Sequence, residues 1–257
     1  MSELLKGIAP WPSGDYSVFG PIEEARLSKM QRYVAANVGR NWLSIPHVTH
    51  QDDADIRQLE EVRKAHNAAG GPKLSVVPFL IKALASALGK FPKFNVSIDP
   101  ARDVIVQKRY CHVGFAADTG NGLLLPVIRD CDQKSVVEIA IEMADLVTRA
   151  RDRGLSMDEM SGGCITVTSL GHIGGTGFTP IVNAPEVAIL GVTRARPMPH
   201  PAIDGGVEWR MMLPLSLSYD HRVINGTDAA RFTRFLADML AEPESFPLAK
   251  ARVEAPR

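Results

Sequence analysis

The stretch Leu213-Pro214-Leu215-Ser216-Leu217-Ser218-Tyr219-Asp220-His221-Arg222-Val223-Ile224-Asn225-Gly226 alternates apolar with small or polar residues, then changes character at Asp220. Leu213, Leu215, Leu217, Tyr219 and His221 share one parity, so on a strand they face the same side. Such a face needs a covering layer, and the sequence supplies one at once. Phe232, Phe235, Leu236, Met239 and Leu240 recur at helical spacing in a segment predicted to start at Thr227 or Asp228. Gly226 suits a tight turn ahead of that helix. The imidazole of His221 then leaves the protein at the end of a buried row, where a general base is useful. Position alone does not assign catalysis, because isolated histidines are more often packed or surface residues.

Working outward, the first 27 residues are rich in proline, glycine and aromatics and lack periodicity. They read as an extended arm whose Trp11, Tyr16 and Phe19 should dock on an apolar surface. From Ser28, a cap, the spacing of Met30, Val34, Val38 and Trp42 predicts a helix. A strand follows near Pro46 to Asp52, then a charged helix from about Asp55 to Ala69 with Gly70-Gly71 as its stop. Ser75 should cap a helix over Val76 to Lys90 that is apolar nearly all round and therefore buried. Strands are predicted at Val104 to Val106, Tyr110 to Ala117, Leu123 to Ile128, Cys164 to Thr168, Glu186 to Val192 and Val207 to Tyr219. A helix runs from Ser135 to Gly154, and Arg196 to Gly206 reads as a proline-rich connection. Strands and helices mix without regular βαβ alternation. The fold class is therefore α/β (α+β): a mixed β-sheet covered by helices in two layers.

Composition bounds the rest. The 257 residues, 45% of them hydrophobic, suffice for one domain with a substantial core. Formal net charge is +0, which argues against a broad nucleic-acid or membrane surface. Cys111, Cys131 and Cys164 show no C-x-x-C pairing, so neither a disulfide scaffold nor a zinc site is expected. No apolar run reaches membrane-spanning length and Met1-Ser2-Glu3 opens no signal peptide, which points to the cytoplasm. His47 and His50 lie near Asp52, Asp53 and Asp55, but alternation puts the two histidines on opposite faces, so no metal is expected.

The segment around His221 resembles the H-x-x-x-D-G signature of the dihydrolipoamide acyltransferases, the core components of 2-oxo-acid dehydrogenase complexes. Chloramphenicol acetyltransferases carry a related motif. Two further segments match in the family's order: Asp118-Thr119-Gly120-Asn121-Gly122-Leu123-Leu124-Leu125-Pro126-Val127-Ile128, and Thr166-Val167-Thr168-Ser169-Leu170-Gly171-His172-Ile173-Gly174-Gly175 with the run Phe178 to Gly191 behind it. The likeness covers about Ile22 to Met239 and is greatest to the acetyl-transferring members that serve pyruvate dehydrogenase. It implies a chloramphenicol-acetyltransferase-like two-layer sandwich, a homotrimer with sites shared between neighbours, and coenzyme A and a dihydrolipoyl group as substrates.

Residue by residue, the resemblance makes His221 the base and Thr168 the oxyanion donor, with Ser169 as the alternative on the other face. Asn225 stands where the signature usually has aspartate. An amide can fix a loop or a substrate but cannot support an imidazolium as a carboxylate would. The resemblance further places Arg63 and Lys82 at the phosphates of coenzyme A, and Ile181 and Leu190 along the thiol channel. An exposed basic helix face and ordinary core packing are the plain alternatives for these four.

No lipoyl or subunit-binding domain is recognisable, so the lipoyl group is expected from another domain or chain. The opening residues resemble a natural start, which favours a free-standing protein over an excised core. Three readings stay open: a CoA:dihydrolipoyl acyltransferase working with 2-oxo-acid dehydrogenase components, a CoA-dependent acyltransferase with a small-molecule acceptor, and a non-catalytic structural core. Cage-forming relatives end in a strongly apolar segment. In this tail, 241–257, Pro247 and Lys250 interrupt the apolar run, so a large cage is expected to form less readily.

Overall fold

A computed structural model describes residues 12–120 and 122–248. The arm from residue 12 is irregular apart from one turn at Tyr16–Phe19, and Tyr16 and Phe19 stay 61% and 88% exposed, not docked on an apolar surface among the described residues. Trp11 lies outside the described residues. The elements then run α1 (Lys29–Ser44), β1 (His47–Asp55), α2 (Arg57–Ala68), α3 (Val76–Lys90), β2 (Val96–Asp99), β3 (Val104–Gln107), β4 (Val113–Phe115), β5 (Ala117–Asp118), β6 (Leu123–Leu124), β7 (Val127–Ile128), α4 (Val136–Asp152), β8 (Ile165–Ser169), β9 (Ala188–Val192), β10 (Arg196–Pro201), β11 (Val207–Asp220) and α5 (Gly226–Ala241). No helix among the described residues is long and apolar enough to cross a membrane.

The main sheet has the order β1-β11-β9-β8-β4-β7, with β10 paired to β11. It is mixed: β8 runs parallel to β4 and β9, and the other pairs are antiparallel. One face is apolar. Val113, Phe115, Ile165, Val167, Leu190, Leu215, Leu217 and Tyr219 pack there against α3, α4 and α5. Phe94 stacks on Phe232 at 3.9 Å between centroids, joining the end of α3 to α5. The opposite face carries no helix layer and is largely polar: Thr49, Gln51, Thr166, Thr168, Ser216 and Ser218 follow the other parity. The loop before β9 covers part of it, with Ile45, Val182 and Ile189 as a small apolar cluster.

Local chemistry explains the helix ends. Ser28 and Ser135 form capping boxes with Gln31 and Glu138. Ser75 precedes α3 as expected, but its side chain makes no capping bond. Gly70 and Gly154 adopt positive φ after α2 and α4. Several readings change. The proline-rich connection is a strand, β10, and α5 starts at Gly226 with Asn225 as its cap. The strand expected over Leu123 to Ile128 is two short ones, β6 and β7, and β2 is an addition. Pro197, Pro199 and Pro201 lie at alternate positions opposite Met211, Trp209 and Val207, so their missing N–H groups all fall at the same kind of position. Arg196, Met198 and His200 remain to supply donors to β11.

Candidate active site

His221 sits immediately beyond β11, held by its backbone. Its N–H donates to the Pro46 carbonyl at 3.1 Å, and the Asp220 N–H donates to the Val187 carbonyl at 2.8 Å. The Asp220 carboxylate is 2% exposed and clamped by Arg222, whose Nε and Nη2 donate to Oδ1 and Oδ2 at 2.9 and 2.6 Å. Hydrogen bonding to Asp220 raises the Arg222 pKa above the ordinary guanidinium value. A fork-to-fork pair two residues apart makes the turn stiff. The imidazole itself is exposed, tilted against Tyr219 at 5.8 Å between centroids, and makes no hydrogen bond within the described chain. Asp220 and Arg222 are not among the sequence candidates, although a carboxylate and a guanidinium flanking a histidine are a usable signal.

Asn225 uses Oδ1 to cap α5, accepting from the Asp228 N–H at 2.9 Å. This is a plain structural use for an amide at that position. It fixes where α5 begins relative to His221.

Thr168 and Ser169 end β8 and point to opposite faces. Thr168 pairs with Gly191, which pairs with Ser216, all on the helix-free side. Its hydroxyl makes no hydrogen bond within the described chain, whereas the Ser169 Oγ accepts from the Gly171 N–H at 3.3 Å. Ser169 lines a cavity of about 420 Å³ between the start of α3 and α4, together with Ser75, Leu80, Met143 and Thr193. The register fixes a consequence. His221 lies five residues past Ser216 and two strands across from Thr168, so at about 3.3 Å per residue and about 4.8 Å per strand the two are roughly 15–20 Å apart. One chain does not bring this base and this donor together.

The other sequence candidates fall elsewhere. Lys82 is 8% exposed on α3 and its ammonium donates to the carbonyls of Cys131 and Asp132 at 3.2 and 2.8 Å. Burial pushes its pKa down. Arg63 binds both oxygens of Glu60 at 2.7 and 2.8 Å and the Leu74 carbonyl at 3.2 Å. Both cations therefore hold the chain's own groups. Leu190 is fully buried in the main core, and Ile181 is half-buried in the loop before β9. Among the described residues no group of three or more His, Cys, Asp or Glu is placed to hold a metal ion. His47 is occupied: its Nε2 accepts from the Val182 N–H at 3.0 Å, so Nδ1 donates to the Ile45 carbonyl at 2.8 Å.

A mixed sheet with helices on one face thus presents an exposed histidine at the tip of its longest strand and an uncommitted hydroxyl on β8. The chain belongs to the family described as 2-oxoacid dehydrogenases acyltransferase (catalytic domain), which matches residues 20–248. It is 53% identical over 240 residues to the dihydrolipoyllysine-residue acetyltransferase component of the Pseudomonas aeruginosa pyruvate dehydrogenase complex, covering 92% of this chain and 44% of that protein. With the Azotobacter vinelandii counterpart it shares 52% over 232 residues, 89% of this chain and 36% of that one. The chain thus spans less than half the length of these curated relatives. Two solved structures superpose with TM-scores of 0.89 at 50% identity, each covering 93% of this chain and 99% of the other. One is the cubic core of the pyruvate dehydrogenase multienzyme complex. The other is the Azotobacter vinelandii dihydrolipoamide acetyltransferase, from an investigation of the role of a serine, a histidine and an asparagine in its catalytic mechanism. In that protein the asparagine follows the histidine by four positions, as Asn225 follows His221. The serine precedes the histidine by the interval that separates Ser169 from His221, one position beyond Thr168. The β10–β11 turn lies within that interval, and only a one-residue difference in its length would move the match to Thr168.

Proposed function

We propose that this chain transfers an acetyl group between coenzyme A and a dihydrolipoyl thiol carried by another domain or chain. The observation that carries this reading is the exposed, backbone-anchored His221 with Asn225 four positions on, in a chain 50% identical to an acetyltransferase whose histidine and asparagine share that spacing. The attacking thiol gives its proton to the His221 imidazole as its sulfur bonds the thioester carbonyl carbon. The resulting oxyanion accepts the Thr168 hydroxyl. Collapse breaks the other carbon–sulfur bond, and the departing thiolate takes the proton back from His221. A thiol of pKa about 8.5 and an imidazole of about 6.5 are close enough for this exchange.

The separation of Thr168 from His221 supports a site built by two copies, and we assign a homotrimer. The apolar face of α1 favours this: Met30, Val34, Val38 and Trp42 are 38%, 41%, 41% and 60% exposed among the described residues, with only the His47 ring stacked on Trp42 at 5.5 Å. The partners are then further copies, a lipoyl-bearing protein and 2-oxo-acid dehydrogenase components. Three buried free cysteines suit a reducing, cytoplasmic setting. The test is transfer from acetyl-CoA to dihydrolipoamide, with small amines and alcohols as competing acceptors. His221→Ala should lower the rate at least about a hundredfold with the fold retained. A variant keeping half the activity would remove the mechanism, and preference for a small acceptor would remove the dihydrolipoyl substrate.

A further inference from the structure

Outside the site described, one buried cluster is used by nothing in the mechanism. Glu186, just before β9, is 5% exposed, and its Oε1 accepts the Thr166 hydroxyl at 2.9 Å. Its Oε2 is buried without a partner. Lys108 is 7% exposed beside it, yet its ammonium donates to the Gly163 carbonyl at 3.1 Å, not to Glu186. A Cβ on Gly163 would sit 2.4 Å from Oε1, so glycine is what lets the carboxyl lie there.

What Glu186 touches leads in two directions. Thr166 is on β8, two residues before Thr168 and on the same face. On the other side, the next residue, Val187, accepts the Asp220 N–H that sets the position of the His221 turn. We propose that Glu186 is a positioning residue for acyl transfer, its carboxyl fixing β8 and the Asp220–His221 turn relative to one another. The proposal rests on the acyl-transfer reading for its consequence but not for its geometry. Because Thr168 and His221 of one chain serve different sites in an assembly, one carboxyl braces two sites.

The brace is sensitive to charge. Burial raises the Glu186 pKa to about 7, against the pull of Thr166 and Lys108. The groups near it are Lys108, Thr166 and, next to β8, Cys164, with His112 donating its backbone N–H to the Cys164 sulfur. A raised folded pKa means that the folded chain holds a proton between 4.5 and about 7 that the unfolded chain has lost. The stabilisation is complete below the unfolded value and fades as pH rises through about 7.

The test compares Glu186→Ala, Glu186→Gln and Thr166→Val in the full chain. Three readouts are used: kcat and KM for acetyl-CoA, the rate of His221 carbethoxylation followed by peptide mass, and Tm from pH 5 to 8. Glu186→Ala should lower kcat about tenfold with KM unchanged and alter His221 reactivity. Glu186→Gln, which still accepts from Thr166, should restore both, and its Tm should gain on the wild type as pH rises. Thr166→Val keeps the carboxyl but removes its donor and should follow Glu186→Ala, so it carries the test if that variant does not fold. A lower Tm with wild-type kcat and wild-type His221 reactivity would make Glu186 merely structural and overturn the proposal. If the wild type transfers no acetyl group, the acyl-transfer reading fails, while His221 reactivity still decides the brace.

Discussion

Asp220 and Arg222 show why His221 was legible and its setting was not. Alternation along 213–221 gave the face, and the core indeed ends at Tyr219, 1% exposed, one step before the turn. The clamp between side chains two residues apart depends on a turn that alternation does not describe. Thr168 and Ser169 are the same problem in smaller form. Pattern separates their faces but does not say which face carries the chemistry. The uncommitted hydroxyl favours Thr168, whereas the cavity beside α3 favours Ser169. Thr168→Val is nearly isosteric and removes only a donor, so kcat should fall by about 10²–10³ with KM for coenzyme A little changed. Ser169→Ala should be close to silent. The reverse result in steady-state kinetics would transfer the oxyanion role to Ser169.

At the level of elements, strong periodicity transferred well. α3 spans Val76–Lys90 as its apolar run implied, and nearly every residue from Pro78 to Leu88 is buried. β10 was illegible because three prolines normally argue against a strand, and only their alternate spacing makes the pairing possible. The setting of Lys82 was hidden for a related reason: a lysine on a helix looks like a surface cation until its neighbours are known. Here it joins α3 to the turn before α4 through two backbone carbonyls. Removing it leaves the Cys131 carbonyl only the Lys134 N–H at 3.4 Å and takes a 2.8 Å charged donor from the Asp132 carbonyl, which costs about 1–3 kcal/mol. Lys82→Ala should therefore lower stability in urea by about that amount and leave KM for coenzyme A unchanged. A variant of wild-type stability with a tenfold higher KM would return Lys82 to the phosphates.

The whole molecule raises two separate questions, how the site is completed and how far assembly goes. If each site takes His221 from one copy and Thr168 from another, two inactive chains should complement. Mixing His221→Ala with Thr168→Val after reversible dissociation should restore a measurable fraction of activity. No rescue, with subunit exchange shown by mass labelling, would count against a shared site.

Assembly beyond the proposed trimer is expected to turn on the tail, and here the chain uses its own anchors. Phe246 is 4% exposed and packs edge-on against Phe79 at 5.6 Å. The carbonyls of Pro247 and Leu248 accept the Val136 and Val137 N–H groups at 3.1 and 3.2 Å, satisfying donors at the open start of α4. Leu248 packs half-buried on the same core. Lys250 lies outside the described residues. A side chain already buried in its own subunit adds nothing at a two-fold contact, where each leucine-sized anchor would contribute about 1.5–3 kcal/mol. The proposed trimer should be unaffected, since the surfaces proposed for it are α1 and the faces around the proposed shared site. Sedimentation velocity at micromolar protein should accordingly show one species near three times 27.9 kDa. A particle as large as the cubic core solved for the pyruvate dehydrogenase complex would show that the tail releases these anchors to a neighbour.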